Sequence, residues 1–195
     1  SGTTGRRKGV VYHHRGACLS TLGQPISWRM VLYPRYLTIV PMFHCNAWCH
    51  IWMIPALGGT VICLRDVTAR GVYHAIAREG ATHFGGAPIV LQTIVNAKDD
   101  ERLPFAHPVE VLTAGAPPPA AVLAAIEPLG FNVTQVYGLT ETYGPATECT
   151  WHEGFEALAG DERAAVKART GVLMPFMEDI TVTDAAMTPV ARDGA

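Results

Sequence analysis

Alternation is the feature that most narrows what this chain can fold into. Short apolar, β-branched runs take turns with stretches of helical periodicity through most of its 195 residues. Segments 36–41, 60–64, 81–84, 109–113 and 132–136 predict strands, with a last one at 178–183. Helices are predicted at 69–79, capped by Thr68 and stopped by Gly80, at 89–97 and at 120–129. A further helix runs from a cap at Asp161 to residue 169. Upstream, 9–12 is a β-like run, and 17–22 predicts a helix broken at Gln24-Pro25. Asn46 is placed to cap a helix on which Trp48 and Trp52, four apart, share a face. Strands that alternate with helices make an α/β fold: a largely parallel sheet flanked by helices, with right-handed crossovers. No repeat or linker interrupts it, so one domain is expected.

In such sheets ligands collect beyond the carboxyl ends of the strands. The segments expected there are unusual. His44 follows the first strand, Gly85-Gly86-Ala87-Pro88 another, Gly115-Ala116-Pro117 a third, and Tyr137-Gly138-Leu139-Thr140-Glu141 a fourth. The chain opens on a further loop, Ser1-Gly2-Thr3-Thr4-Gly5-Arg6-Arg7-Lys8-Gly9. Its glycines allow backbone geometry that a Cβ would block. Its hydroxyls and N–H groups can converge on phosphate oxygens, and Lys8, Arg6 and Arg7 add positive charge. It is neither a Walker loop, since Arg7 stands where the second glycine belongs, nor a dinucleotide fingerprint.

Net charge of −2 and a pI near 6.4 argue against nucleic acid as a partner. No apolar run is long enough to span a bilayer. Five cysteines without framework spacing, and no signal peptide, fit a reducing cytoplasm. His44, Cys45, Cys49 and His50 invite a zinc reading. No Cys-x-x-Cys pair supports it, and buried cysteines acting as small hydrophobes explain the pattern better. His13 and His14, adjacent on a helix, point apart and read as a solvated pair.

Ser1-Gly2-Thr3-Thr4-Gly5 with Lys8-Gly9 resembles the signature phosphate loop of the adenylate-forming (AMP-binding) synthetases. Tyr137-Gly138-Leu139-Thr140-Glu141 resembles their second signature. Gly115-Ala116-Pro117 and Pro41-Met42-Phe43-His44 are similar to two weaker motifs of that superfamily, and all four stand in the family's order. Within it the chain looks most like the acyl-CoA synthetases for fatty and aromatic acids. The resemblance implies an ATP-dependent carboxylic acid–CoA ligase that works through an acyl-adenylate and releases pyrophosphate. By the same resemblance, Ser1, Gly2, Thr3, Thr4, Gly5 and Lys8 hold the β and γ phosphates of ATP. Gly115, Ala116 and Pro117 line the adenine site, with Gly138 beside them, and Tyr137 stacks on the base. Thr140 bonds the α-phosphate and Glu141 binds Mg²⁺. His44 flanks the carboxylate of the small-molecule acid, and Trp48 and Gly86 wall its acyl pocket. Coenzyme A enters as co-substrate.

Two positions depart from the family pattern: Arg7 stands where proline is common, and Ala47 where glycine is common. The family's ribose-binding aspartate, its hinge and its C-terminal lid with a catalytic lysine would lie beyond Ala195, and a strand would precede Ser1. Residues 1–195 are therefore expected to be a partial adenylation domain, inactive alone, with exposed apolar surface that can support self-association. Three alternatives stay open: an acyl-AMP or carrier-loading ligase, a non-catalytic nucleotide- or acyl-binding domain, and a thiol or zinc enzyme built on Cys45, Cys49 and His44.

Overall fold

A computed structural model gives the fold and describes residues 5, 6 and 8–191. Its strands are β1 (Arg35–Thr38), β2 (Thr60–Cys63), β3 (His83–Gly86), β4 (Val109–Thr113), β5 (Phe131–Leu139), β6 (Gly144–Glu148) and β7 (Val172–Leu173). They form one sheet in the order β2-β1-β3-β4-β5-β6-β7. The first five are parallel; β6 and β7 are antiparallel additions at one edge. The helices are α1 (His14–Ser27), α2 (Cys45–Trp48), α3 (His50–Ala56), α4 (Ala69–Glu79), α5 (Pro88–Val95), α6 (Ala120–Ile126) and α7 (Gly160–Lys167).

The period-two alternation of strand side chains divides the core into two layers. Leu37, Phe84, Val111 and Val133 point to one face and meet Val72, Ile76, Leu91, Ile94, Leu123 and Ile126 of α4, α5 and α6. Tyr36 and Leu112 point to the other and meet Trp28, Trp48, Met53 and Ile54. Burial on both faces is why these strands read as unbroken apolar runs.

Several elements differ from the sequence expectation. Residues 9–12 form no strand; the Tyr12 hydroxyl bonds the Thr140 carbonyl instead. α1 passes through Pro25 rather than stopping before it, because burial of Ser20, Gly23, Gln24 and Pro25 outweighs the lost N–H. His13 caps it, its Nδ1 accepting from the Gly16 N–H at 2.7 Å. Asn46 caps nothing. Cys45, Asn46, Ala47, Trp48 and Cys49 all have positive φ, from 45° to 71°, so α2 is a left-handed turn and α3 starts after Cys49. Trp48 and Trp52 therefore do not share a face: Trp48 is 7% exposed and Trp52 52%. Gly85 and Gly86 belong to β3 rather than to the loop after it. β5 continues through Leu139 and β6 returns against it, a hairpin that Gly144-Pro145 disguised as a loop. α7 is capped by Ala159, and Asp161 lies inside its first turn. The last paired strand is β7; 178–183 holds only a single bridge, Thr183 to Pro189.

A buried polar chain ties the second layer together. Gln24 Nε2 donates to the Ser20 hydroxyl and to the Trp48 carbonyl, each at 3.0 Å. That orientation leaves Gln24 Oε1 as the acceptor facing His50 Nε2 at 3.1 Å. His50 Nδ1 then accepts from the Tyr36 hydroxyl at 2.7 Å, and Tyr36 oxygen accepts from the Gly85 N–H at 3.2 Å. The carbonyl, which can only accept, thus fixes the amide, the imidazole tautomer and the phenol in turn. Burial, reinforced by His83, pushes His50 down to about 3, and burial takes His83 down to about 4.

Both histidines are depressed, so the folded state binds fewer protons than the unfolded chain below about pH 6.5. Stability is complete above that pH and falls as pH drops toward the folded values. Glu110 and Glu148, raised by burial, act in the opposite sense nearer the carboxylate range. The wild-type protein is expected to lose about 1 kcal/mol or more between about pH 6.5 and 5.5. In urea titrations at those two pH values, His50→Gln should lose about half as much as wild type. Equal losses would rule out His50 as a source of the slope.

Candidate functional site

The carboxyl ends of β1, β3, β4 and β5 open onto one cavity of about 710 Å³. Each strand delivers its following segment to the wall. After β1 come Ile39, Val40, Pro41 and His44; β3 ends at Gly86, followed by Ala87. After β4 come Ala114, Gly115, Ala116 and Pro117; β5 brings Tyr137, Gly138 and Leu139, and the turn beyond it Thr140 and Glu141. Ten sequence-expected site residues thus share one lining: His44, Trp48, Gly86, Gly115, Ala116, Pro117, Tyr137, Gly138, Thr140 and Glu141. Tyr137 is 42% exposed, so its ring offers an open face. His44 and Glu141 are exposed.

Gly5 and Lys8 are exposed and do not contribute to the lining; Ser1, Gly2, Thr3 and Thr4 lie outside the described residues. The chain nevertheless arrives close by. The Tyr12 hydroxyl donates to the Thr140 carbonyl at 2.7 Å. Four residues span at most about 14 Å, so Lys8 begins within that reach of Tyr12.

The left-handed turn packs into the same wall. The Cys45 thiol meets the Thr140 hydroxyl at 3.4 Å, and the Trp48 indole lies over Gly85. Cys45 and Cys49 are buried among apolar neighbours and hydroxyls. Burial pushes the Cys49 thiol up, away from the thiolate that a nucleophile or ligand needs. Among the described residues no three His, Cys, Asp or Glu side chains gather as a metal cluster.

Sequence reasoning missed Gln135. It is 3% exposed, lines the cavity two positions before Tyr137, and its Oε1 has no hydrogen-bond partner among the described residues. A buried acceptor without a donor is costly unless something outside the chain supplies one. The signal was there: a polar residue in an apolar strand, on the same face as Tyr137.

The family model of the AMP-binding enzymes matches residues 1–195. The chain belongs to the AMP-binding enzyme family. This AMP-binding chain is 49% identical, over its whole length, to a peroxisomal acetate/butyrate–CoA ligase of Arabidopsis thaliana, and 50% identical to an acetate–CoA ligase of Humulus lupulus. It spans about a third, 34%, of the length of each. Among solved structures it is similar to the inhibitor-bound N-terminal domain of FACL13 from Mycobacterium tuberculosis. That likeness has a TM-score of 0.81 at 24% identity over 97% of this chain and 45% of the other, and it bears on the fold alone. No helix among the described residues is long and apolar enough to cross a membrane.

Proposed function

We propose that this AMP-binding chain is the nucleotide- and acid-binding part of an ATP-dependent carboxylic acid–CoA ligase, acting through an acyl-adenylate. One observation carries the reading: four strand ends bring an aromatic face, small backbone-exposing residues, a hydroxyl, a carboxylate and an orphaned buried acceptor to one cavity. Tyr137 stacks on the base, Gly115, Ala116 and Pro117 form its slot, and Gln135 Oε1 takes a donor such as an exocyclic amine. Thr140 holds the α-phosphate, and Lys8 with the opening glycine loop holds the outer phosphates. Glu141 supplies carboxylate oxygen, the donor a hard cation prefers. Mg²⁺, when bound there, neutralises charge on the phosphates. The acid's carboxylate attacks the α-phosphorus and pyrophosphate leaves, so no protein nucleophile is needed. The protein's task is alignment and charge stabilisation.

His44 flanks the acid's carboxylate, and Trp48 with Ile39, Val40 and Val90 offers an apolar wall. The names of the Arabidopsis and Humulus relatives favour a short aliphatic acid as substrate and CoA as the acceptor. The Arabidopsis name also sets a peroxisomal location beside the cytoplasmic one expected from composition. Leu19, Leu22 and Ile26 make an exposed stripe on α1 that can support self-association.

The test is pyrophosphate exchange by the full-length protein across short, medium, long and aromatic acids, followed by thioester assay with CoA. Acid-dependent exchange strongest with short acids is expected. Tight Mg²⁺–ATP binding with no exchange for any acid would instead mark a non-catalytic nucleotide-binding domain.

A further inference from the structure

The turn that presents Thr140 and Glu141 is a single 3₁₀ turn, Thr140–Thr142. Within it, the Thr142 hydroxyl accepts from the Leu139 N–H at 2.8 Å and donates to the Gly144 carbonyl at 2.7 Å, and the Cys45 thiol meets the Thr140 hydroxyl at 3.4 Å. Three further side chains outside both signatures brace it. The Tyr12 hydroxyl donates to the Thr140 carbonyl at 2.7 Å. Its ring lies against that of Tyr143, with centroids 4.1 Å apart and planes at 42°. The Tyr143 hydroxyl accepts from the Trp52 indole Nε1 at 2.7 Å.

Tyr143 closes the turn with φ at 62°, a left-handed conformation that a bulky residue keeps only when its neighbours fix it. The Tyr12 ring and the Trp52 hydrogen bond are the fixing contacts. Burial, with Cys45, Tyr143 and Glu141 adding to it, pushes the Tyr12 phenol up, so at neutral pH it remains a donor. Tyr12 also stands four residues after Lys8. It is a strut between the end of the glycine loop and the backbone of the residue that would meet the α-phosphate.

We propose that Tyr12, clamped by Tyr143 and Trp52, is a positioning residue for a magnesium–nucleoside triphosphate. Its hydroxyl holds the Thr140 backbone and so orients the Thr140–Glu141 pair. This rests on the ligase reading for its substrate, but not for its geometry.

The test compares wild type with Tyr12→Phe in the full-length protein. The variant keeps the ring on Tyr143 and deletes only the hydrogen bond. The KM for Mg²⁺–ATP in pyrophosphate exchange is expected to rise about 3- to 10-fold, with the KM for the acid within about twofold. Trp52→Phe, at a half-exposed ring, should shift the same constant in the same direction by less. It carries the comparison if Tyr12→Phe does not fold. An unchanged KM for ATP, or equal changes in both constants, would overturn the positioning role. If wild type shows no acid-dependent exchange, the ligase reading falls by itself. Calorimetric titration with Mg²⁺–ATP then decides: weaker binding by Tyr12→Phe sustains the strut, and equal binding removes it.

Discussion

Glu141→Gln should lower pyrophosphate exchange by about 100-fold or more in the full-length protein, with little change in stability. The substitution keeps size and shape and removes one negative charge. A hard cation bound by a carboxylate and phosphate oxygens loses its strongest protein donor. Glu141 is exposed at the cavity rim, so its replacement disturbs no packing and leaves no buried group unpaired. The melting temperature should stay within a few degrees, roughly what 1 kcal/mol moves in a domain of this size. Raising Mg²⁺ should recover part of the lost rate. A loss smaller than about threefold would remove Glu141 from the metal role.

A large effect on folding is expected at Gly138. A Cβ there would overlap the backbone carbonyl of Gly144 and crowd the Cα of Pro145. Both belong to β6, which pairs with β5 at this point through a register shift between Tyr137 and Gly138. Side chains can rotate away from an intruding methyl, but a paired backbone can yield only by opening the hairpin. Gly138→Ala should therefore cost more than about 3 kcal/mol in urea titration, or abolish soluble expression. It should also displace Tyr137 and the Thr140–Glu141 turn. Gly154→Ala is the control: a Cβ there meets nothing within 4 Å, and the change should stay within about 0.5 kcal/mol. Similar costs for the two would mean that the hairpin is looser than its geometry shows.

The parallel part of the sheet was legible because each inner strand, buried on both faces, leaves a continuous apolar run, and each helix leaves a stripe of period 3.6. Val109–Thr113 and Ala69–Glu79 were read to the residue for that reason. The rim could be assembled from the same reading, since loops after parallel strands must share an edge. What stayed hidden depends on contacts distant in sequence. The β6 return against β5 is written in tertiary pairing, and Gly144-Pro145 alone signals a break. Pro25 inside α1 is tolerated by burial that local propensity does not see. Asn46 rests on capping preference and the Trp48–Trp52 pair on helical periodicity, and both fail where the backbone turns left-handed. Gln135 and Tyr12 looked ordinary, because the importance of each lies in which atom it faces. Residues 1–4 lie outside the described part.

The reversed winding at 45–49 has one more implication. For L-residues that hand costs roughly 1–2 kcal/mol at each position. Much of what restrains it comes from outside, through the Gln24 amide grasping the Trp48 carbonyl and the Gly144 backbone lying against Trp48. The stretch is a spring cocked beside the place where substrate would sit. With alanine at 47 instead of glycine, the tension is higher than it needs to be, and a weakened catch at Gln24 would let that side of the chamber change shape before the rest of the molecule noticed.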